Sequence, residues 1–61
     1  MCQSSVYLVK DGNEELVMED VSVITPQGED ILLVGMLGEK KKIKAKFKEL
    51  QLMDHRILLE E

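Results

Sequence analysis

Hydrophobic and polar residues alternate along much of the chain in short runs. The clearest alternation is KIKAKFK, in which Ile43, Ala45 and Phe47 are separated by lysines. Because successive side chains of a strand point to opposite faces, this period of two places the apolar residues on one face and the lysines on the other. The pattern therefore predicts a strand over residues 42–48.

Five further segments favour strands. Valine, isoleucine, tyrosine and threonine suit the pleated surface of a sheet, and they are frequent in these segments. The run ILLVGML is almost continuously apolar and too short for a typical helix, which indicates a strand covered on both faces. A helical turn is also expected around residues 47–53. The predicted strands are CQSSVYLV (2–9), EELVM (14–18), EDVSVITP (19–26), ILLVGML (31–37) and HRILLEE (55–61).

Glycine and proline mark the ends of these segments. The dipeptide Asp11-Gly12 is typical of a tight β-hairpin, because glycine adopts a positive φ at no steric cost. Gly28 and Gly38 indicate two further turns, and Pro26 ends a strand because it lacks an amide hydrogen. Turn signals at intervals of roughly eight to twelve residues are typical of all-β folds. We therefore predict a small antiparallel β-sandwich or β-barrel of about six or seven short strands.

The chain has 61 residues and is predicted to form a single domain over residues 1–61. A chain of this length buries only about 60% of the surface that its unfolded form exposes, so its core is small. Small domains often gain stability from disulfides, a bound metal or an oligomeric partner. One cysteine cannot form an intrachain disulfide, which leaves a metal, a partner or both. We expect a homodimer, in which the segment ILLVGML gains additional cover.

The composition is that of a folded protein of the cytoplasm. An apolar content of 44% is ordinary for a globular chain and argues against intrinsic disorder. The start of the chain lacks the basic region and long apolar run of a secretory signal. No apolar run approaches the roughly 18 residues that span a bilayer. Because a free thiol without an export signal fits a reducing compartment, we expect a cytoplasmic protein that does not contact membranes.

The single cysteine stands at position 2, next to the terminal amine of Met1. The amine, the amide nitrogen of Cys2 and the Cys2 thiolate can form two fused five-membered chelate rings around one metal ion. Such donors lie in a plane, and planar coordination by nitrogen and sulfur suits Ni(II) or Cu(II) rather than zinc. Metal binding displaces the thiol proton, so the affinity should rise with pH. The sequence therefore predicts a metal site at Met1 and Cys2.

A planar site needs a fourth donor, which a single terminus of this kind does not provide. The Cys2 thiolate of a second chain or an imidazole would complete the site. If an aminopeptidase removes Met1, the amine and thiolate of each chain give four donors from two chains. Both versions favour a dimer with one metal ion between its termini. A packing role for Cys2 without any metal is the alternative.

Four elements are the most specific parts of a pattern that runs over essentially the whole chain: the Met-Cys start, the hairpin VYLVKDGNEELVMEDV, the turn LGE and the closing LMDHRILLE. In this pattern the sequence resembles the CooT family of small nickel-binding proteins. The resemblance implies a β-rich homodimer that binds Ni(II) through Cys2 near the dimer interface, with Met1 and the adjacent backbone as secondary ligands. It also implies a nickel metallochaperone for the maturation of a nickel enzyme such as carbon monoxide dehydrogenase. Members of the family have in addition been labelled as predicted RNA-binding proteins.

The sequence is more weakly similar to the HypC-type hydrogenase maturation chaperones, which are also small β proteins beginning with Met-Cys. Those proteins continue in a proline-containing segment after the cysteine. This chain has QSSVYLV there and no proline before position 26. The resemblance to the CooT family is therefore preferred.

Six of the eight basic residues lie between Lys40 and Lys48, in a chain whose net charge is −4. A basic strand face can follow a phosphate backbone, so a small RNA-binding module is the alternative function. Binding of single strands also uses aromatic platforms, and Phe47 is predicted on the face opposite the lysines. Lysines equally keep a sheet edge unpaired, and they could face an acidic protein client. The lysines of the predicted row are Lys42, Lys44, Lys46 and Lys48.

The sequence shows no constellation of catalytic residues. His55 is the only histidine, and we prefer a surface or hydrogen-bonded position beside Asp54 to a role as a metal ligand. A Cys2–His55 pair would place the nucleophile on a chain terminus, where it is difficult to position. Three of the four methionines are expected to fill the core. We therefore predict that the protein is not an enzyme.

Overall fold

A computed structural model describes residues 4–61 of the chain. It consists of strands and a single short 3-10 helix, which confirms the all-β class and the expected number of strands. The predicted metal ligands Met1 and Cys2 lie outside the described residues. No helix within residues 4–61 is long and apolar enough to cross a membrane. The elements are β1 (Ser4–Lys10), β2 (Asn13–Gln27), β3 (Asp30–Gly35), β4 (Lys40–Lys44), β5 (Lys46–Gln51), the 3-10 helix (Leu52–Asp54) and β6 (Arg56–Glu60).

The strands form one six-stranded sheet in the order β4-β3-β2-β1-β6-β5. Neighbouring strands are antiparallel, as predicted, except for β1 and β6, which run parallel. In that ladder Val6 lies opposite Ile57, and Leu8 lies opposite Leu59. The sheet is therefore mixed rather than purely antiparallel. The parallel pair arises because the chain passes from one outer strand, β4, to the other, β5, before β6 returns to β1.

Strand β2 is long and bent. The segments 14–18 and 19–26, predicted as separate strands, belong to this single element. Asp20 interrupts its regular conformation with a φ of 53°, and the register with both neighbouring strands shifts near this position. Val21 lies opposite Ser4 of β1 on one side and opposite Gly35 of β3 on the other. The first part of β2 therefore pairs mainly with β1 and the last part with β3.

Strands β4 and β5 are the outer strands of the sheet, yet only Ala45 separates them along the chain. The sheet must therefore curl until its two edges approach each other at this residue. Ala45 is 7% exposed and belongs to the core. The curl gives the sheet the shape of an incompletely closed barrel. It also means that the predicted continuous strand over residues 42–48 is divided into two strands at Ala45.

The hydrophobic core fills the concave side of this curled sheet. Side chains from β1, β2, β3, β4 and β6 pack around its buried centre. Strand β3 shows regular alternation: Ile31 and Leu33 are buried, whereas Leu32 and Val34 are only half-buried. The expectation that both faces of this strand are covered is thus met on one face only. The buried centre consists of Val6, Ile31, Leu33, Ala45 and Leu59.

The predicted hairpin between β1 and β2 is confirmed. Lys10 and Asn13 lie opposite each other, so that the connection has two residues. Asp11 and Gly12 occupy it with φ angles of 52° and 80°. Two successive positive φ angles match the twist of the flanking strands, and aspartate followed by glycine is a favoured pair for this turn.

Three hydrogen bonds hold the turn between β3 and β4, and one of them uses a carboxylate. Glu39 Oε1 accepts a hydrogen bond from the Leu37 amide at 3.1 Å. The Gly35 amide donates to the Glu39 carbonyl at 2.8 Å, and the Gly38 amide donates to the Gly35 carbonyl at 3.0 Å. The Glu39 carboxylate fills the position that a Cβ atom of residue 35 would take. This arrangement explains why glycine occurs inside an apolar strand.

Replacement of Leu33 by alanine is expected to lower the free energy of unfolding by about 2–5 kcal/mol, because its side chain is fully buried and leaves a cavity. Leu16→Ala is the matched control, since Leu16 is 50% exposed. We expect this control substitution to lower the free energy of unfolding by about 1 kcal/mol or less. Urea unfolding of both variants measures the difference. Equal losses of stability would contradict the position of the core.

Gly35→Ala is expected to lower the free energy of unfolding by roughly 0.5–1 kcal/mol, because the new methyl group displaces the flexible end of the Glu39 side chain and with it the hydrogen bond to the Leu37 amide. In a Glu39→Ala background the same change should stabilise by up to about 0.5 kcal/mol, since alanine is the better strand residue. Thermal unfolding of the four proteins gives the coupling between the two sites. Additive effects of the two substitutions would show that the carboxylate does not occupy this space.

Candidate metal site and the surface around it

Strand β1, which follows the predicted metal ligands in sequence, begins between two other elements. Ser4 lies opposite Val21, where β2 is bent. On its other side the Ser5 amide donates a hydrogen bond of 2.9 Å to the carbonyl of His55. The described chain therefore starts between the bend of β2 and the beginning of β6. Cys2 precedes this position by two residues and is itself outside the described region.

His55 is placed beside β1 by its backbone rather than by its imidazole. It follows the 3-10 helix in the left-handed conformation, with φ 54° and ψ 41°. Histidine is one of the few residues other than glycine that are enriched in this conformation. Its amide donates to the Leu52 carbonyl at 3.3 Å. The side chain is exposed, as we predicted for a surface histidine, and it lies at the end of the sheet where β1 begins.

Two turns near the start of β1 expose apolar side chains. The turn after β3 presents Met36 and Leu37, and Leu37 is 94% exposed. The 3-10 helix presents Leu52 and Met53, and Met53 is also 94% exposed. We call these four residues the apolar rim. The expectation that the methionines fill the core is therefore wrong for Met36 and Met53, because turn geometry directs both toward solvent.

Backbone hydrogen bonds hold both turns of the apolar rim. The Met36 amide donates a hydrogen bond of 2.9 Å to the carbonyl of Asp20 at the bend of β2. Leu37 is fixed by its bond to the Glu39 carboxylate. On the other turn, the hydrogen bond from His55 to Leu52 closes the 3-10 helix. The exposed apolar side chains of the rim thus stand on turns whose conformation is fixed by hydrogen bonds.

The six lysines of residues 40–48 divide between the two outer strands of the sheet. Four lysines stand on β4, whereas Lys46 and Lys48 stand on β5. Lys48 pairs with Glu60 at 3.8 Å, so part of the β5 charge is neutralised. The predicted single row of lysines is consequently two groups on opposite edges. The lysines of β4 are Lys40, Lys41, Lys42 and Lys44.

The two aromatic residues are not arranged as platforms for stacking bases beside these lysines. The guanidinium of Arg56 lies 4.8 Å from the centre of the Tyr7 ring and covers one of its faces. Glu14 accepts a hydrogen bond from the same guanidinium. Phe47 lies opposite Leu59 of the core and is 42% exposed. The alternative function in RNA binding therefore gains no support from aromatic side chains.

Two surface depressions lie at the other end of the β1–β6 pair, away from Ser5. The larger has a volume of about 560 Å³ and an open mouth beside Ala45. Lys44 and Lys46 line it together with Glu29 and Glu61. Within residues 4–61, no three histidine, cysteine, aspartate or glutamate side chains converge on a position suitable for a metal ion.

Comparison with known proteins gives one consistent assignment. The model of the family described as "CO dehydrogenase accessory protein CooT" matches residues 1–60. A crystal structure assigned to CooT from Carboxydothermus hydrogenoformans is similar with a TM-score of 0.89 and 47% sequence identity. That match covers 97% of this chain and 95% of the other. An uncharacterized protein of Methanocaldococcus jannaschii is 32% identical over 60 residues, which is 98% of each chain.

Proposed function

This chain belongs to the CooT family of carbon monoxide dehydrogenase accessory proteins, and from that membership we propose that it is a nickel carrier for the maturation of such an enzyme. The observation that carries the proposal is the Met1-Cys2 start, joined to a strand that begins beside the apolar rim. The accessory role of the family supports a function in assisting an enzyme rather than in catalysis. The metal, its ligands and the dimer are the parts that we propose here.

The donor chemistry of the terminus fits Ni(II). The Met1 amine, the Cys2 amide nitrogen and the Cys2 thiolate supply adjacent nitrogen and sulfur donors, which favour a planar geometry. Cu(II) would bind such donors at least as tightly, so affinity alone does not select nickel. Membership of a family that serves carbon monoxide dehydrogenase, a nickel enzyme, supports nickel as the cargo.

A second chain supplies the remaining donor in our proposal. Only Gln3 and Ser4 separate Cys2 from Ser5 in the sequence. Ser5 is hydrogen-bonded to His55 next to the apolar rim. A dimer that uses the rim would therefore bring two Cys2 thiolates close to one another. One nickel ion would then be shared by two chains.

The apolar rim suits a two-fold contact with a second copy. Ordered turns present its four side chains at one end of the sheet, where they gain from removal from water. A two-fold interface uses the same patch on both partners, so one rim would meet the other. A chain of this size also has a small core that profits from additional burial. These features support the homodimer.

Reduced protein titrated with Ni(II) is expected to saturate at one nickel per two chains, with thiolate charge-transfer absorption. Cys2→Ser should abolish this absorption and weaken binding at least tenfold. The double variant Cys2→Ser with Ser4→Cys keeps one thiol but moves it away from the terminal amine, and it should not restore the site. His55→Ala should retain the stoichiometry, because the second thiolate completes the coordination.

Equal nickel binding by the wild type and by Cys2→Ser would refute the terminal site. Full recovery with the relocated cysteine would instead show that any thiol near the start of β1 is sufficient. Because binding displaces protons, the apparent affinity of the wild type should also rise between about pH 6 and pH 8. An affinity independent of pH would speak against thiolate coordination.

Leu37→Glu and Met53→Glu are expected to convert the dimer to a monomer, since each places a charge on the apolar rim. Leu16→Glu introduces the same charge near the start of β2, outside the apolar rim, and should leave the dimer intact. Sedimentation velocity of the three variants measures the oligomeric state, and circular dichroism checks the fold. A wild type that is monomeric, with or without nickel, would overturn the shared site.

A further inference from the structure

Strand β4 has one free edge within the described sheet. Its only ladder in residues 4–61 is the antiparallel pairing with β3. The sheet approaches closure at Ala45, but β4 and β5 form no ladder with each other. Backbone amides and carbonyls along the outer side of Lys40–Lys44 are therefore available to a further strand.

This edge carries a concentration of positive charge. All the lysines of β4 are exposed. Lys42 lies 3.9 Å from Asp30, which is an exposed and therefore weak pair. Lys40, Lys41 and Lys44 form no ion pair within the described residues. The positive edge contrasts with the net charge of −4 for the whole chain.

The two faces of β4 differ in a way that specifies the incoming strand. Lys40, Lys42 and Lys44 share one face, because they stand at alternate positions of the strand. The other face contains Lys41 and the half-buried Ile43, which lies opposite Ile31 of the core. A strand added here would place acidic side chains beside the lysines and an apolar side chain beside Ile43. The complementary sequence therefore alternates acidic and apolar residues.

The same lysines disfavour pairing of β4 with a second copy of itself. Edge-to-edge pairing of two identical strands would bring lysines close to lysines, and like charges across strands are destabilising. Lysines on an edge are a common means of preventing such association. The lysines do not exclude a strand of opposite charge. The charges that repel an identical strand therefore also favour an acidic one.

We propose that the free edge of β4 binds an extended acidic segment of a partner protein by adding it to the sheet as a seventh strand. The main-chain ladder supplies the orientation, and the lysine face supplies the selectivity for acidic side chains. The edge of β4 consists of other residues than the apolar rim, although Lys40 follows the turn that carries Leu37. A polypeptide is favoured over a nucleic acid, because Arg56 covers one face of the Tyr7 ring and Phe47 shares a face of the sheet with Leu59 rather than with the neighbouring lysines.

The test uses the full-length protein and a fluorescein-labelled peptide of alternating glutamate and valine. Fluorescence anisotropy should show binding that weakens as salt increases, because exposed charges are screened. The variant Lys40→Gln/Lys44→Gln should bind the peptide roughly fivefold or more weakly. The control Lys10→Gln/Lys48→Gln removes the same charge elsewhere and should bind like the wild type. A peptide with alternate N-methylated amides, which cannot form the ladder, should bind at least tenfold more weakly.

Three outcomes would overturn the proposal. Absence of peptide binding would do so directly. Equal losses in the two double lysine variants would show that general charge attraction, rather than the β4 edge, is responsible. Tight binding of polyuridine RNA without binding of the peptide would assign the lysines to phosphate recognition. Because neither lysine pair lies in the apolar rim or at Cys2, nickel binding should be unchanged in both variants, which separates this test from that of the carrier function.

Discussion

The fold depends on a single-residue connection between the two edges of the sheet. Flat strands about 4.8 Å apart would place the outer strands of a six-stranded sheet about 24 Å from each other. Residues on either side of Ala45 lie at most about 7 Å apart along the chain. The sheet satisfies both conditions by curling around Val6, Leu33 and Leu59. The bend of β2 at Asp20 and the burial of Ala45 both fit this requirement.

The curl also separates the surfaces on which function is proposed. The concave side is taken by the core, so contacts with other molecules are left to the convex face, the ends and the edges of the sheet. At the end where β1 begins, the apolar rim lies on the two turns next to Ser4 and Ser5. On the free edge of β4, charge rather than apolar area dominates. A chain of 61 residues thus retains two chemically different contact surfaces.

Much of the local structure was predictable, whereas long-range pairing was not. Asp11-Gly12 specified its hairpin, and period-two alternation identified the strands. The alternation of KIKAKFK continues through Ala45, so nothing in the pattern marked the break between β4 and β5. The parallel ladder that brings His55 to Ser5 also has no local signal. The proposed metal site was inferred from donor chemistry and family resemblance, and its ligands lie outside the described residues.

The position of β1 has a consequence for how the protein folds. This strand precedes the other five in the sequence, but it lies between β2 and β6, and β6 follows the other five. One side of β1 therefore stays unpaired until Arg56–Glu60 dock against it. The contact from Ser5 to His55 closes a loop over most of the described residues, and the entropy of closing this loop is lost before the contact is gained. The sheet around Ser5 is thus completed by a non-local step, which is expected to slow folding.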